Sequence, residues 1–135
     1  MTRIWERLHI GGLTDGEELA AGNPSGITTV ISLCELPVET KSPGINYLHL
    51  PIADDEPVPI GKFDRILDAV AENIRWGTVL VHCASGISRA PSFASAYMDA
   101  VGYKNIDAAL DEIRKVRPFI QPSTVLVESL KEHLK

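Results

Sequence analysis

Apolar residues along this chain change from short runs to helical spacing near residue 60, and Pro and Gly become sparser over the same stretch. Leu8 to Gly11 is short and largely apolar and predicts a strand, and Ile27 to Leu33 (ITTVISL), β-branched and apolar, predicts a buried one. Between them Thr14 to Ala21 reads as a short helix, with Thr14 or Asp15 to cap it and Gly22-Asn23-Pro24 to stop it. Ile45 to Ile52 alternates in part and predicts a further strand; it leads into Ala53 to Pro59, an acidic, proline-bearing stretch that reads as an exposed loop. Phe63, Ile66, Leu67, Val70 and Ile74 then recur at offsets of 0, 3, 4, 7 and 11, one face of a helix that Gly77 ends. Thr78 to Val81 is uninterrupted and apolar, as a central strand covered on both faces should be. Ser88 to Val101 is rich in small and helix-favouring residues, Ile106, Ala109, Leu110 and Ile113 repeat the helical period, and Pro122 to Leu134 makes a last helix.

This order predicts an α/β fold, a central mixed or mostly parallel sheet of about four to five strands flanked by helices. With 135 residues, 44% of them hydrophobic, the chain has material for one core and is read as a single domain over residues 1–135. A net charge of -5 and the lack of a Lys/Arg cluster argue against nucleic acid or an acidic membrane as partner. The densest basic stretch, Arg114, Lys115 and Arg117, reads as a solvated helix end. The first ten residues carry Arg3, Glu6 and Arg7 and do not resemble a secretory signal, and no apolar run is long enough to span a membrane. Two cysteines, Cys34 and Cys83, suggest free thiols in a reducing compartment. The expectation is a soluble, cytoplasmic monomer. His9, His49 and His133 show no ligand spacing with one another or with cysteine, so neither metal nor cofactor is expected.

Chemistry concentrates in residues 78 to 91, TVLVHCASGISRAP: a buried strand, a tight loop, then a helix. Ligands of open α/β sheets bind where strands end and helices begin, and a helix N-terminus offers unpaired N–H groups to an anion. Gly86 allows the loop to turn its N–H groups inward as a nest, and Pro91 falls in the helix's first turn, where no intrahelical donor is lost. Thiols at such electropositive positions ionise readily, which makes Cys83 a candidate nucleophile needing no partner base. Arg89, six residues on, offers a planar fork for two phosphate oxygens. A Cys and an Arg at this spacing are common by chance; the strand before, the helix after and the acidic loop upstream give the pair its meaning.

His82-Cys83, five intervening residues and Arg89 resemble the signature of the protein tyrosine phosphatase superfamily, and HCASGISRAPSFASAYM is particularly similar to its dual-specificity branch. GITTVISL, LPIADD, the signature and RKVRPFIQPS fall in the order of a minimal dual-specificity catalytic domain. The resemblance implies phosphomonoester hydrolysis through a thiophosphoryl-enzyme intermediate, without metal. It implies that Cys83 attacks phosphorus and that Ala84, Ser85, Gly86, Ile87, Ser88 and Arg89 bind the phosphate, with His82 tuning Cys83 from behind. Matched to LPIAD, it makes Asp54 the general acid, with Asp55 the alternative. Where the family has Ser or Thr after the arginine, this chain has Ala90, which puts fast breakdown of the intermediate in doubt. The same Arg-Ala-Pro run is similar to plant glucan phosphatases. Ser88 is read as the helix cap rather than a substitute hydroxyl. In some relatives a cysteine at the position of Cys34 forms a reversible disulfide with the nucleophile; a small buried residue is the other reading of Cys34. The expected substrate is a phosphorylated protein or a small phosphomonoester. A non-protein substrate such as a glucan or nucleotide, and a slow phosphate-binding module, are the alternatives.

Overall fold

A computed structural model describes all 135 residues. Its strands are β1 (Thr2–Trp5), β2 (Leu8–Gly11), β3 (Ile27–Ser32), β4 (Asn46–His49) and β5 (Thr78–His82), and its helices are α1 (Leu13–Glu18), α2 (Ile60–Ile74), α3 (Arg89–Ala100), α4 (Ile106–Val116) and α5 (Thr124–His133). The strands form one sheet in the order β1-β2-β5-β3-β4, with β1 antiparallel to β2 and every other pair parallel. This is the mixed, mostly parallel sheet that the sequence predicts.

Strand β5 is central because it has no polar face to give to water. Val79, Leu80 and Val81 are all fully buried. Alternation sends Val79 and Val81 to the face that also carries Leu8, Ile10 and Ile31, and Leu80 to the opposite face with Val30. The first face is covered by the apolar stripes of α2 to α5, including Ile66, Phe93, Ile113 and Leu126. The second is covered by Leu19, just past α1, and by Val38 in the loop after β3. Parallel pairing brings Gly11 and Ser32 level with His82, and His49 level with Ser32, so four strands finish at one edge of the sheet. The loops that leave this edge build the site.

Several boundaries differ from the sequence reading. Strand β1 is not foretold, because its one buried apolar residue is Ile4; it is held by pairing to β2 and by Trp5, which stacks on Tyr103 with ring centroids 4.5 Å apart. Neither Thr14 nor Asp15 caps α1: Gly12 occupies the cap position, and Asp15, three residues in, accepts the Gly12 N–H at 2.9 Å. Strand β4 spans four residues, although Leu50 and Ile52 still donate to the Ser32 and Leu33 carbonyls at 2.9 and 3.0 Å. Pro51 between them has no N–H to continue a ladder. Helix α5 starts at Thr124, where Ser123 caps it by accepting the Leu126 N–H at 3.2 Å. No helix is long and apolar enough to cross a membrane.

Candidate active site

The loop from Cys83 to Ser88 joins β5 to α3, and its carbonyls are turned outward into the scaffold. Those of Ala84 and Ile87 accept from the N–H groups of Leu13 and Gln121 at 3.1 and 2.8 Å. Those of Ser85 and Gly86 accept from the Arg117 guanidinium at 3.3 and 3.0 Å. The Ser88 carbonyl accepts from the Ser92 amide at 3.0 Å and from its hydroxyl at 2.7 Å. With these carbonyls taken, the amides of residues 84 to 88 donate to no protein acceptor and form a nest open to an anion. Two glycines permit the shape. Gly86 has φ of 72°, and a Cβ there would fall 2.6 Å from an Arg117 nitrogen and 2.7 Å from the Gly11 carbonyl carbon. A Cβ on Gly12 would stand 2.9 Å from the Ala84 carbonyl oxygen and push the loop off the sheet edge.

Cys83 lies at the floor of this nest, 3% exposed, with its sulfur accepting the Ala90 N–H at 3.4 Å. One N–H of the first turn of α3 therefore points at the sulfur. Arg89, 8% exposed, uses one terminal nitrogen to donate to Glu35 Oε1 and to the Ile52 carbonyl, both at 3.0 Å. Its Nε and second terminal nitrogen stay free, the pair that grips two oxygens of one ligand. A backbone N–H and the Arg89 guanidinium hold the exposed Glu35 carboxyl below its usual range, so it stays an anion beside the arginine. Behind the cysteine, His82 Nδ1 donates to the Cys83 carbonyl at 3.1 Å and Nε2 accepts from the Ser32 hydroxyl at 2.5 Å. Burial lowers its pKa, which suits a neutral ring that orients the strand end and exchanges no proton.

Asp54 and Asp55 sit in the exposed loop before α2 and point in different directions. Asp54 Oδ1 accepts from the Ser88 hydroxyl at 2.9 Å, at the rim of the nest. Asp55 Oδ1 accepts from the Ser123 hydroxyl at 2.9 Å, at the start of α5. Ser88 stands at the cap position of α3, but its hydroxyl makes no capping bond: it donates to Asp54 and accepts the Ser123 N–H at 2.9 Å. The reading of Ser88 as a side-chain cap is thereby corrected. The hydroxyl finds two partners brought in from elsewhere in the chain, and nothing local to Ser88 announces them.

The nest, sulfur, guanidinium and carboxylate lie within one stretch that a family model covers: the model described as dual specificity phosphatase, catalytic domain, matches residues 10–135. The chain belongs to this family. Human dual specificity protein phosphatase 15 is 32% identical over 130 residues, 93% of this chain and 43% of its own length. A probable dual specificity protein phosphatase of Dictyostelium discoideum is 28% identical over 124 residues, covering 91% of this chain and 58% of that protein. The chain spans about half the length of the curated relatives it matches. Among solved structures, that of DUSP15 has a TM-score of 0.87 at 30% identity over 99% of this chain and 86% of its own. Human DUSP28, with a TM-score of 0.85 at 21% identity over 99% of this chain and 95% of its own, shares the fold.

One further residue of this phosphatase-family chain differs from expectation. Arg117 is not part of a solvated helix end: it is 6% exposed, donates to Gly86 and Ser85 of the nest and to Thr2 Oγ1 at 2.8 Å, and lies 4.6 Å from the Phe119 ring centroid. Its spacing from Arg114 and Lys115 hid it; the following Pro118, which ends the helix and swings Arg117 inward, was the available signal. Cys34, as in its reading as a small buried residue, is buried and in no disulfide, and its thiol donates to the Leu36 carbonyl at 3.2 Å. Burial pushes its pKa up, against the pull of Arg89, so it is held as a thiol.

Proposed function

We propose that this chain hydrolyses phosphomonoesters on proteins through a covalent cysteine intermediate. The observation that carries the proposal is the nest of inward amides closing on the Cys83 sulfur, with the free side of Arg89 beside it. Such an arrangement stabilises a dianion and, more strongly, the charge spread over the equatorial oxygens during transfer. The Cys83 thiolate attacks phosphorus, the bond from phosphorus to the ester oxygen breaks, and that oxygen takes the proton of Asp54. A water then attacks phosphorus, Asp54 removes its proton, and the S–P bond breaks to return the thiolate and inorganic phosphate. Asp54 is favoured over Asp55 because its carboxylate faces Ser88 at the rim of the nest, whereas that of Asp55 faces Ser123. A nucleophile that works only while its sulfur is reduced suits the reducing cytoplasm, and a monomer suffices because every residue named comes from one chain.

The substrate class rests on the loop's own side chains. Ala84, Ser85, Ile87 and Ser88 add no positive charge beyond Arg89, which suits one phosphate on tyrosine, serine or threonine rather than a polyphosphate. Cys34 enters this reading as a small buried residue beneath the site; a reversible bond to Cys83 is the second role open to it. Hydrolysis of para-nitrophenyl phosphate in EDTA, comparing wild type with Cys83→Ser, tests the proposal. The expected result is metal-independent turnover lost in Cys83→Ser; equal rates in the two proteins would refute the cysteine mechanism.

A further inference from the structure

The loop that bears Asp54 is tied down by α5 and its cap residue, which lie outside the nest. Ser123 is the first tie: its hydroxyl donates to Asp55 Oδ1, and its N–H donates to the Ser88 hydroxyl that in turn holds Asp54. Ser129 and His133 are the second. The Val58 N–H donates to Ser129 Oγ at 2.8 Å, and His133 Nε2 donates to the Val58 carbonyl at 2.6 Å. Four residues apart, these two side chains share one face of the helix and together take both backbone groups of Val58, whose side chain is buried in the core. Asp55 itself has φ of 58°, a left-handed conformation that a residue with a Cβ keeps only when its surroundings over-determine it. That turn sends consecutive carboxylates in different directions, Asp54 toward the nest and Asp55 toward α5.

We propose that α5 is a clamp that sets the proton donor in place before substrate arrives, with Ser129 as a positioning residue acting on Asp54 through Val58 and the loop. The inference rests on the reading of Asp54 as general acid. An acid works only within hydrogen-bond reach of the departing oxygen, and a loop freed at Val58 would let Asp54 drift from it. A general acid is needed most by poor leaving groups. The clamp therefore has a signature that a loss of folded protein does not share: a rate loss that depends on the leaving group.

The test compares kcat/KM, which reports formation of the intermediate and not its breakdown, for wild type, Asp54→Asn, Ser129→Ala and Ser129→Thr on phenyl phosphate and on 2,4-dinitrophenyl phosphate, whose leaving group departs without a proton. Because misplacement of a reacting group by about 1 Å costs up to about 10²-fold, Ser129→Ala should lose about tenfold in kcat/KM on phenyl phosphate. It should stay close to wild type on the dinitrophenyl ester, and Ser129→Thr, which keeps the hydroxyl, should recover the loss. If Asp54→Asn shows the leaving-group dependence and Ser129→Ala does not, or if Ser129→Ala loses equally in kcat/KM on both esters, the clamp is wrong and the acid assignment stands. If Asp54→Asn itself shows no such dependence, the acid assignment fails and the clamp with it.

Discussion

Ala90 is a single residue whose side chain bears on the second step of the proposed reaction. Its N–H reaches the Cys83 sulfur at 3.4 Å, but its methyl group offers no hydroxyl to the thiolate that leaves when water cleaves the intermediate. Nearby hydroxyls do not replace it: Ser92 donates to the Ser88 carbonyl, Ser95 to the Ser92 carbonyl, and Ser88 to Asp54. A hydrogen bond to a charged group contributes about 1.5–3 kcal/mol, so Ala90→Ser should speed breakdown of the intermediate by about tenfold or more. Rapid-mixing measurement of nitrophenol release should show a first-turnover burst in wild type that shrinks in Ala90→Ser as steady turnover rises. An unchanged burst and rate would mean that breakdown does not wait on this hydroxyl. Cys83 and Arg89 were legible as a candidate pair because strand, loop and helix are contiguous there. Glu35, which braces Arg89, was not, since 54 residues separate the pair and its neighbours carry no pattern.

At the scale of elements, the site depends on helices that arrive late in the chain. Arg117, at the end of α4, supplies the donors for the Ser85 and Gly86 carbonyls, and so keeps the amides of the nest facing inward. Arg117→Met keeps the aliphatic stem but leaves two carbonyls without partners. Removing one side of a buried charge-assisted network costs about 2–4 kcal/mol, and the freed peptides should also bind anions less well. Urea denaturation and inhibition by vanadate measure the two effects: the variant should unfold at lower urea and need more vanadate for half-inhibition, and unchanged values for both would show the nest to be self-supporting. The helical periods of α2 and α4 and the apolar runs of β3 and β5 were readable because burial imposes a period on each. The service of α4 and α5 to loops 31 or more residues away was not, because a bond between a side chain and a distant backbone leaves no period in either segment.

For the whole molecule, the burial that makes the core also makes stability depend on pH. His82 and His9 are both buried, and desolvation is the first cause lowering each below the ordinary value of 6.5; Arg3 and the N-terminus lower His9 further, and its Nδ1 has no partner. Groups with depressed folded values bind fewer protons in the native state than in the unfolded chain. Their contribution is complete above 6.5 and is lost as pH falls through the folded values. The urea midpoint should therefore fall between about pH 7 and 5, and fall less in His9→Gln, which lies outside the site. A midpoint constant over that range would show that neither ring resists protonation in the fold. By itself the sequence determined the α/β order of elements and the contiguous strand, loop and helix that carry Cys83 and Arg89. Each of these is local, written in periodicity or in adjacent residues. Only the tertiary structure decided that β1 joins the sheet, that Arg117 turns inward, that Ser88 holds Asp54 and that α5 holds the loop. Those choices match partners brought together by the closing of the core, and a chain read one window at a time does not contain them.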